Sequence, residues 1–280
     1  HLDNGGILMS TDTVKKYYDE NAGKEWERLE THPFEFIFTT YMMDKYIRGG
    51  DRILDIGGGP GRYSIYYAKK NCDVTLVDLS PGNIALAKEK AAESHVDFKM
   101  AAGNCLDLDA MGLGLYDHVF LMGPLYHLTD KADRKRAVQL ALEHLKPGGI
   151  FYCSFILDFA GLIYDLKNGP GYLPGDLGNQ STAKLIDSIV TGTEYTGPAF
   201  TSACFFNQHQ IEPFLREFEL EKLHIFGQEG ILALNENQLK GFPKDEYDLW
   251  IETAKRFLDL PEFLAFSEHA MYIGRKMNNR

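Results

Sequence analysis

The sequence predicts an α/β fold in which helices cover both faces of a doubly wound, mostly parallel sheet. From residue 52 to residue 156, short runs rich in β-branched and aromatic residues alternate with helical stretches. Such alternation is typical of right-handed βαβ crossovers. A chain of 280 residues with 44% hydrophobic and 25% charged residues also has the length and composition of a globular protein with a substantial core.

Seven runs are predicted as strands, and they are RILDI (52–56), DVTLVD (73–78), VDFKMA (96–101), DHVFLM (117–122), IFYCSFI (150–156), 219–226 and HAMYIGRK (269–276). Helical spacing of apolar residues predicts helices at about 61–70, 80–93, 131–145 and 207–217. Two further helices are predicted before the first strand. One starts near Ser10 and is broken or softened at Gly23, and the other covers about 34–48 and ends at Gly49-Gly50.

The order of these elements divides the chain into five parts. Glycines and prolines interrupt the alternation after the fifth strand, so we expect an irregular, partly helical insertion there, beside the substrate site. The first four predicted parts are an appended or disordered segment (1–9, with Met9 as the native start), a helical cap (10–50), a ligand-binding core (51–156) and the insertion (157–206). The fifth part (207–280) completes the sheet and contains a helical insertion at about 235–260.

Charge and cysteine content narrow the functional classes. Lys and Arg number 29 against 40 Asp and Glu, a net charge of -11, which disfavours a long nucleic-acid partner. No apolar run approaches a membrane span, and no basic-then-apolar leader is present, so we expect a cytoplasmic protein with no membrane partner. Four scattered cysteines without a CxxC pair predict reduced thiols and no metal site.

The stretch ILDIGGGPGRYS (53–64) carries the strongest functional signal. A glycine-rich turn between a strand and a helix is a general nucleotide site. The dinucleotide pattern GxGxxG fails in both registers, because Arg62 or Pro60 stands where a glycine is needed, and no Gly-Lys-Ser/Thr closes a phosphate loop. Asp55, two residues before the first glycine of GxGxG, would repel a pyrophosphate. The loop therefore favours a ligand that carries a cation and no phosphate.

This stretch resembles the first motif of the class I S-adenosylmethionine-dependent methyltransferases, which has the form acid-x-Gly-x-Gly-x-Gly. Later motifs follow in the family's order. Asp78 ends the second strand, Gly103-Asn104 stands where the family often has Gly-Asp, and Gly123-Pro124-Leu125-Tyr126-His127 follows the fourth strand. The turn Lys146-Pro147-Gly148-Gly149 before the fifth strand also recurs in the family. The resemblance covers residues 50–156 and implies a Rossmann-like sheet of seven strands whose last strand is antiparallel.

The resemblance also implies a cofactor, S-adenosyl-L-methionine, which leaves as S-adenosyl-L-homocysteine. The glycines would admit its amino-acid and ribose part, Asp78 would accept the ribose hydroxyls, and Asn104 would contact the adenine amino group. Structural alternatives to these roles stay open. In them, Asp78 only caps the next helix, and Asn104 and Cys105 are plain loop residues. The implied cofactor-binding residues are Asp55, Gly57, Gly58, Gly59, Gly61, Asp78, Leu79, Asn104, Cys105, Met122, Tyr18 and Arg28.

Two residues past the fourth strand are the catalytic candidates. The imidazole of His127, with an ordinary pKa near 6.5, is suited to take a proton from the acceptor, and Tyr126 would face the sulfonium or the acceptor. The alternative for His127 is a structural role in shaping the turn, and the alternative for Tyr126 is a role in packing. From the predicted first helix, Tyr18 would touch the methionine end of the cofactor or join the core. Arg28, or less directly Arg62, would pair with the cofactor's carboxylate or remain solvated.

These observations predict a methyltransferase that acts on N or O of a small-molecule acceptor by in-line displacement. Ring-bearing residues of the insertion and its exit would wall the acceptor or form a satellite core, and they are Tyr164, Tyr172, Tyr195, Phe200, Phe205, Phe206 and His209. The alternative function is a non-catalytic S-adenosylmethionine-binding sensor or scaffold. An NAD-dependent oxidoreductase is disfavoured by the failed GxGxxG and by Asp55. The oligomeric state stays open.

Overall fold

Seven of the described strands form one sheet in the order β3-β2-β1-β4-β5-β9-β8. The computed structural model describes residues 11–169, 180–198 and 202–278. Strand β9 runs antiparallel to both of its neighbours, and the other pairs of the sheet are parallel. This confirms the predicted fold class. The strands are β1 (Arg52–Ile56), β2 (Asp73–Asp78), β3 (Lys99–Ala102), β4 (Tyr116–Leu121), β5 (Leu145–Ile156), β8 (Leu220–Gly227) and β9 (His269–Lys276).

The sheet reverses its order beside β1, and this places the ligand site. The chain moves outward from β1 to β2 and β3 on one side, and then returns to build β4 and β5 on the other. Asp55 near the end of β1 lies in register with Leu76 of β2 and Phe120 of β4. Ligands of open α/β sheets bind outside the carboxyl ends of the strands at such a reversal.

Two hydrophobic cores lie on opposite faces of the sheet. Along β4, Val119 and Leu121 belong to one core, whereas Phe120 between them belongs to the other, as the two-residue period of a strand requires. Phe34 and Phe38 join the core of Phe120 and are fully buried. The apolar face of the second helix therefore covers one side of the sheet.

The helices of the core lie close to their predicted bounds. Ser80 caps α4 by accepting the N–H of Asn83, as expected from the Ser-Pro start. The helices outside the insertion are α1 (Thr11–Thr31), α2 (Pro33–Met43), α3 (Arg62–Lys69), α4 (Pro81–Glu93), α5 (Lys131–Glu143), α8 (Gln208–Leu215), α9 (Glu236–Leu239) and α10 (Lys244–Lys255). Short 3-10 helices cover Leu108–Met111, Pro124–His127, Gly230–Asn235 and Pro261–Phe266.

Some predicted bounds were wrong. Helix α1 is distorted at Asn21 (φ -125°, ψ 16°) rather than at Gly23, and α2 ends at Met43, five residues before the predicted end. Strand β3 starts at Lys99 instead of 96, and β5 starts at Leu145 because the Lys-Pro-Gly-Gly turn stays in line with the strand. Local propensity does not mark these ends, because neighbouring elements fix them.

The insertion contains two helices and a hairpin in its described part. Helix α6 (Ala160–Asn168) and helix α7 (Gln180–Thr191) precede a two-stranded antiparallel sheet of β6 (Tyr195–Pro198) and β7 (Ser202–Phe205). Tyr172 and Phe200, two of the predicted wall residues, lie outside the described residues, as does the segment 1–9. No helix in the described ranges combines the length and apolar character needed to cross a membrane.

Candidate active site

A cavity opens at the carboxyl ends of β1, β2 and β4, under helix α1. It encloses about 1120 Å³, counted with part of its open mouth. The implied site residues that line the cavity are Asp55, Gly57, Gly58, Gly59, Asp78, Leu79, Asn104, Cys105, Met122, Tyr18, Arg28, Tyr126 and His127.

Gly61 differs from the other loop glycines, because it is absent from the cavity lining. It is the N-cap of α3, in the left-handed region at φ 83°, and a Cβ there would lie 3.3 Å from the side chain of Ala87 on α4. A glycine at this point therefore lets two helices approach each other. Its implied direct role in cofactor binding stays a prediction, and the geometry gives it a packing role.

Gly57 is held in a conformation that side chains rarely adopt. Its φ is 70°, and a Cβ on it would lie 2.5 Å from Cγ of Pro124. The residue thus allows the loop after β1 to touch the loop after β4. The contact fixes the distance between the two strand ends that flank the cavity.

Asp55 is a nearly fully buried carboxyl group beneath the glycine loop. Its Oδ2 accepts a hydrogen bond from Ser64 Oγ at 2.7 Å, while Oδ1 has no hydrogen-bond partner in the described part of the chain. Burial raises the pKa of Asp55 to about 7, Ser64 lowers it, and the charge of Asp78 raises it further. A cation near this oxygen would stabilise the ionised form.

Asp78 joins the glycine loop to the start of α4. Its Oδ2 accepts the N–H of Gly59 at 2.8 Å, and Oδ1 accepts from Ser80 N at 2.9 Å and from Asn83 Nδ2 at 3.1 Å. Burial raises its pKa, and the three donors oppose that effect. Since a carboxylate has about four acceptor positions, one is left. Accepting two hydroxyls would require one bond, such as that from Gly59, to be exchanged.

Asn104 and Cys105 follow β3 at the far end of the cavity from the glycine loop's helix. Oδ1 of Asn104 accepts the N–H of Leu106 at 3.0 Å, which orders the turn and leaves one lone pair for a ligand. Burial raises the pKa of Cys105 to about 12, so this thiol is neutral at physiological pH and packs as an apolar group.

Tyr18 and His127 meet inside the cavity although they are 109 residues apart. Tyr18 Oη and His127 Nε2 are 2.9 Å apart and hydrogen-bonded, and their rings are nearly perpendicular with centroids 5.5 Å apart. His127 ends the 3-10 helix after β4 and is mostly buried. The ring of Tyr126 lies 4.8 Å from that of His127. The pairing fixes one imidazole nitrogen against the first helix.

Helix α1 is fastened to α4 over the cavity. Oδ1 of Asp19 accepts Ser80 Oγ at 2.5 Å and the N–H of Gly82 at 3.0 Å. A carboxylate at a helix N-terminus is favourable, because the helix dipole places partial positive charge there. These donors lower the pKa of Asp19, so the contact is present at neutral pH.

Two arginines line the mouth. Arg62 stacks on the ring of Phe36 at 4.2 Å, and its partial burial lowers the pKa of the guanidinium. Arg28 projects from α1 and is exposed. Either is placed to meet a ligand carboxylate, which Arg binds through paired N–H donors.

The described aromatic residues of the insertion are absent from the cavity lining. Tyr195 and Phe205 pack with Ile156 in a small satellite core, Phe206 belongs to a main core, and Tyr164 is exposed. The satellite-core alternative therefore fits these rings. Sequence reasoning missed Glu35, Lys15 and Tyr63 in the lining. Only the start of a predicted helix pointed to Glu35, and that signal says nothing about a cavity.

Comparisons with known proteins agree with this geometry. Residues 53–149 match the family described as a methyltransferase domain. The ubiquinone biosynthesis O-methyltransferase of Xanthomonas campestris pv. campestris is 31% identical over 123 residues, which are 44% of this chain and 50% of that protein. The chain thus spans about half the length of the curated relatives it matches.

Two solved structures share the fold over nearly the whole chain. The N-methyltransferase NodS of Bradyrhizobium japonicum, in complex with S-adenosylhomocysteine, has a TM-score of 0.56 at 14% identity and covers 95% of this chain and 99% of its own. Magnesium protoporphyrin IX methyltransferase of Synechocystis PCC 6803, with bound S-adenosylmethionine, has a TM-score of 0.57 at 12% identity, with 98% and 100% covered. The strand order and the motifs agree with the match of residues 53–149 to a methyltransferase domain, and this part of the chain is similar to the class I S-adenosylmethionine-dependent methyltransferases.

Proposed function

We propose that the protein transfers a methyl group from S-adenosylmethionine to an N or O atom of a small-molecule acceptor. One observation carries the proposal. The ends of three strands and helix α1 bring a glycine loop, two buried carboxyl groups and the Tyr18–His127 pair to the lining of a single cavity. A tight turn alone would not need this set of groups.

The residues at the glycine loop fit the donor's amino-acid end. Oδ1 of Asp55 is a buried oxygen without a partner in the described ranges, and an ammonium nearby would supply the missing interaction. Arg28 and Arg62 at the mouth are suited to the carboxylate of the same ligand. We therefore assign the amino-acid part of the donor to the space between Asp55 and the two arginines.

The other end of the cavity fits a nucleoside. Asp78 keeps one acceptor position for a ribose hydroxyl and gains a second by exchanging the N–H of Gly59. Leu79, Cys105 and Met122 supply apolar surface for a base, and Asn104 keeps one lone pair for an amino group. In this assignment the residues that match the family's motifs have the roles that the family gives them: Asp78 accepts from the ribose, and Asn104 contacts the adenine.

The donor supplies an activated methyl group on a sulfonium, so the chain's own residues have to align the acceptor, exclude water and remove a proton. His127 is the group that we assign to the proton. Tyr18 is hydrogen-bonded to its Nε2, and the ring of Tyr126 packs against it at a tilt of 58°, so the imidazole has a fixed orientation at the cavity wall. General-base catalysis of this kind commonly raises the rate by about 10²- to 10⁴-fold, and we expect a contribution of about that order from His127.

Titration calorimetry with S-adenosylhomocysteine tests the donor site. We expect saturable binding to the parent protein and no measurable binding to Asp78→Ala, because the ribose contact and the loop N–H bond are both lost. Asp73→Ala, at the exposed start of the same strand, is the matched control and should bind like the parent. Normal binding to Asp78→Ala would refute the ribose assignment.

Transfer of a labelled methyl group to a panel of amines, phenols, thiols and acids tests the reaction. We expect label in at least one N or O acceptor, and a lower kcat in His127→Ala with unchanged S-adenosylhomocysteine affinity. A protein that binds the donor and labels no acceptor would instead be a sensor or scaffold. Parent-like turnover by His127→Ala would leave the histidine a purely structural role.

The proposal includes a cytoplasmic location and no nucleic-acid partner. All four cysteines are free and buried, which suits a reducing compartment. The net charge of -11 disfavours a polyanionic partner.

A further inference from the structure

Glu35, Glu229 and His269 converge from three distant parts of the chain beside the donor cavity. Their ligand atoms lie within 4.8 Å of one another. Glu35 comes from the start of α2, Glu229 follows β8, and His269 opens β9. Because β9 is antiparallel, its first residue lies at the same sheet edge as the ends of β4 and β5. We call these three residues the acidic triad.

The acidic triad continues the cavity on the side of the catalytic candidates. Glu35 is itself part of the cavity lining, and its carboxylate accepts a hydrogen bond from Tyr63 Oη at 3.3 Å. The ring of Tyr126, another lining residue, lies 6.3 Å from the ring of His269. The triad is therefore next to the space where an acceptor would meet the donor's methyl group.

A short hydrogen bond joins Glu229 and His269. Nδ1 of His269 and Oε1 of Glu229 are 2.6 Å apart, and the backbone N–H of His269 donates to Oε2 at 3.1 Å. Two ligands of one metal ion at bond lengths of about 2.1 Å would lie roughly 3 Å apart. Burial alone would lower the pKa of His269, but the charges of Glu229 and Glu35 raise it to about 9. The imidazole of His269 is thus protonated at neutral pH.

Glu35 is a carboxylate of the cavity lining to which no group of the donor has been assigned. Asp55 and Asp78 take the ammonium and the ribose, and the arginines take the carboxylate. The other charged residue of the lining, Lys15, lies 3.6 Å from Oδ2 of Asp19 on its own helix. Within the acidic triad two carboxylates face one imidazolium, and the charge of Glu35 also acts on the guanidinium of Arg62, which is assigned to the donor's carboxylate.

We propose that the acidic triad is the acceptor subsite and that it selects a primary or secondary amine, whose N–H donates to the carboxylate of Glu35. The subsite rests on the proposed function and names its substrate class. Tyr63 and Tyr126 add aromatic faces, which attract amines in their protonated form during binding. Glu229 and His269 position the subsite, because their ion pair fixes the wall behind Glu35.

The reaction at this subsite balances without a further reactant. The bound ammonium first gives one proton to His127, which passes it to water, and this frees the lone pair of the nitrogen. That lone pair forms the new N–C bond while the C–S bond of the donor breaks, and the bonding pair of the C–S bond remains on sulfur. The products are the methylated amine in its protonated form and S-adenosylhomocysteine.

The test compares three ligands of the same shape on the full chain saturated with S-adenosylhomocysteine. An arylalkylamine, the matching alcohol and the matching carboxylic acid are titrated by calorimetry into the parent, Glu35→Gln and Glu89→Gln. Glu89 is exposed on α4, so its variant changes the net charge equally and serves as the control. We expect the amine to bind the parent at least 10-fold more tightly than the alcohol, as charged hydrogen bonds allow (about 10- to 100-fold). Glu35→Gln should lose that preference, and Glu89→Gln should keep it.

The outcomes separate the subsite from the donor site. Equal or tighter binding of the alcohol or the acid, no binding of the amine, or an unchanged preference in Glu35→Gln would overturn the amine subsite while donor binding stands. A requirement for Mg²⁺ or Zn²⁺ in amine binding would overturn the proton assignment and the subsite with it. Failure of the parent to bind S-adenosylhomocysteine would refute the proposed function itself.

Discussion

Replacing Asp55 by Asn separates the stability of the protein from its affinity for the donor. The pKa of Asp55 in the folded protein is about 7, against an ordinary value of 3.8, because the group is buried. A raised carboxyl pKa means that the folded state holds the proton more tightly than the unfolded state. Stability is therefore lost as pH rises from about 4 to about 7, and the cost is fully present above that range.

The size of the effect follows from the two pKa values. One pKa unit corresponds to about 1.4 kcal/mol, so a shift of about 3 units costs roughly 4 kcal/mol at pH 8 and about 2 kcal/mol at pH 5. Asparagine has nearly the same shape, retains an oxygen for Ser64 and has no charge to bury. We expect Asp55→Asn to raise the free energy of unfolding of the ligand-free protein by about 2 kcal/mol more at pH 8 than at pH 5.

Urea unfolding at the two pH values, without ligand, measures this difference. Asp97→Asn is the control, because Asp97 is exposed and its replacement should give no pH-dependent gain. The same Asp55→Asn protein should bind S-adenosylhomocysteine at least about 10-fold more weakly, since the charge that faces the ammonium is gone. A gain in stability that is absent at pH 8, or equal at both pH values, would refute the reasoning about this buried charge.

Three further variants probe the loop, the proton-accepting pair and the fold. Gly57→Ala should weaken S-adenosylhomocysteine binding at least about 10-fold in calorimetry, because a Cβ at φ 70° would meet the ring of Pro124; parent affinity would contradict the contact between the two loops. Tyr18→Phe should lower kcat about 10-fold, with little change in the KM of the donor, because His127 loses the 2.9 Å bond that orients it; an unchanged kcat would show that this bond is dispensable. Lys167→Ala should destabilise the protein by about 3–5 kcal/mol in urea unfolding, because Lys167 is 3% exposed and pairs with Glu236 and Glu268 at 3.2 and 2.6 Å. Lys16→Ala, which removes an exposed pair, should change stability by less than about 1 kcal/mol, and an equal effect of both would contradict the importance of burial.

Motifs that lie within one strand and the following turn could be predicted from the sequence. The bounds of β1, β2 and β9 coincide with the predicted runs, because each run is flanked by turn residues and filled with β-branched or aromatic side chains. Asp55, Asp78 and His127 all line one cavity because each follows or ends a parallel strand, and those ends meet at one sheet edge.

Contacts between distant elements could not be predicted in this way. The bond between Tyr18 and His127 depends on how α1 crosses the sheet edge, and no local pattern encodes that angle. The acidic triad joins residues from α2, the end of β8 and the start of β9, so its existence depends on β9 being inserted antiparallel. A glycine pattern likewise does not distinguish Gly57, which lines the cavity, from Gly61, which packs against α4.

Calorimetric titration with S-adenosylhomocysteine, and with NAD as the competing nucleotide, tests the central claim most directly. We expect saturable one-to-one binding of S-adenosylhomocysteine to the parent protein and no binding of NAD, because the carboxylate of Asp55 beneath the glycine loop would repel a pyrophosphate. Binding of NAD without binding of S-adenosylhomocysteine would contradict the account.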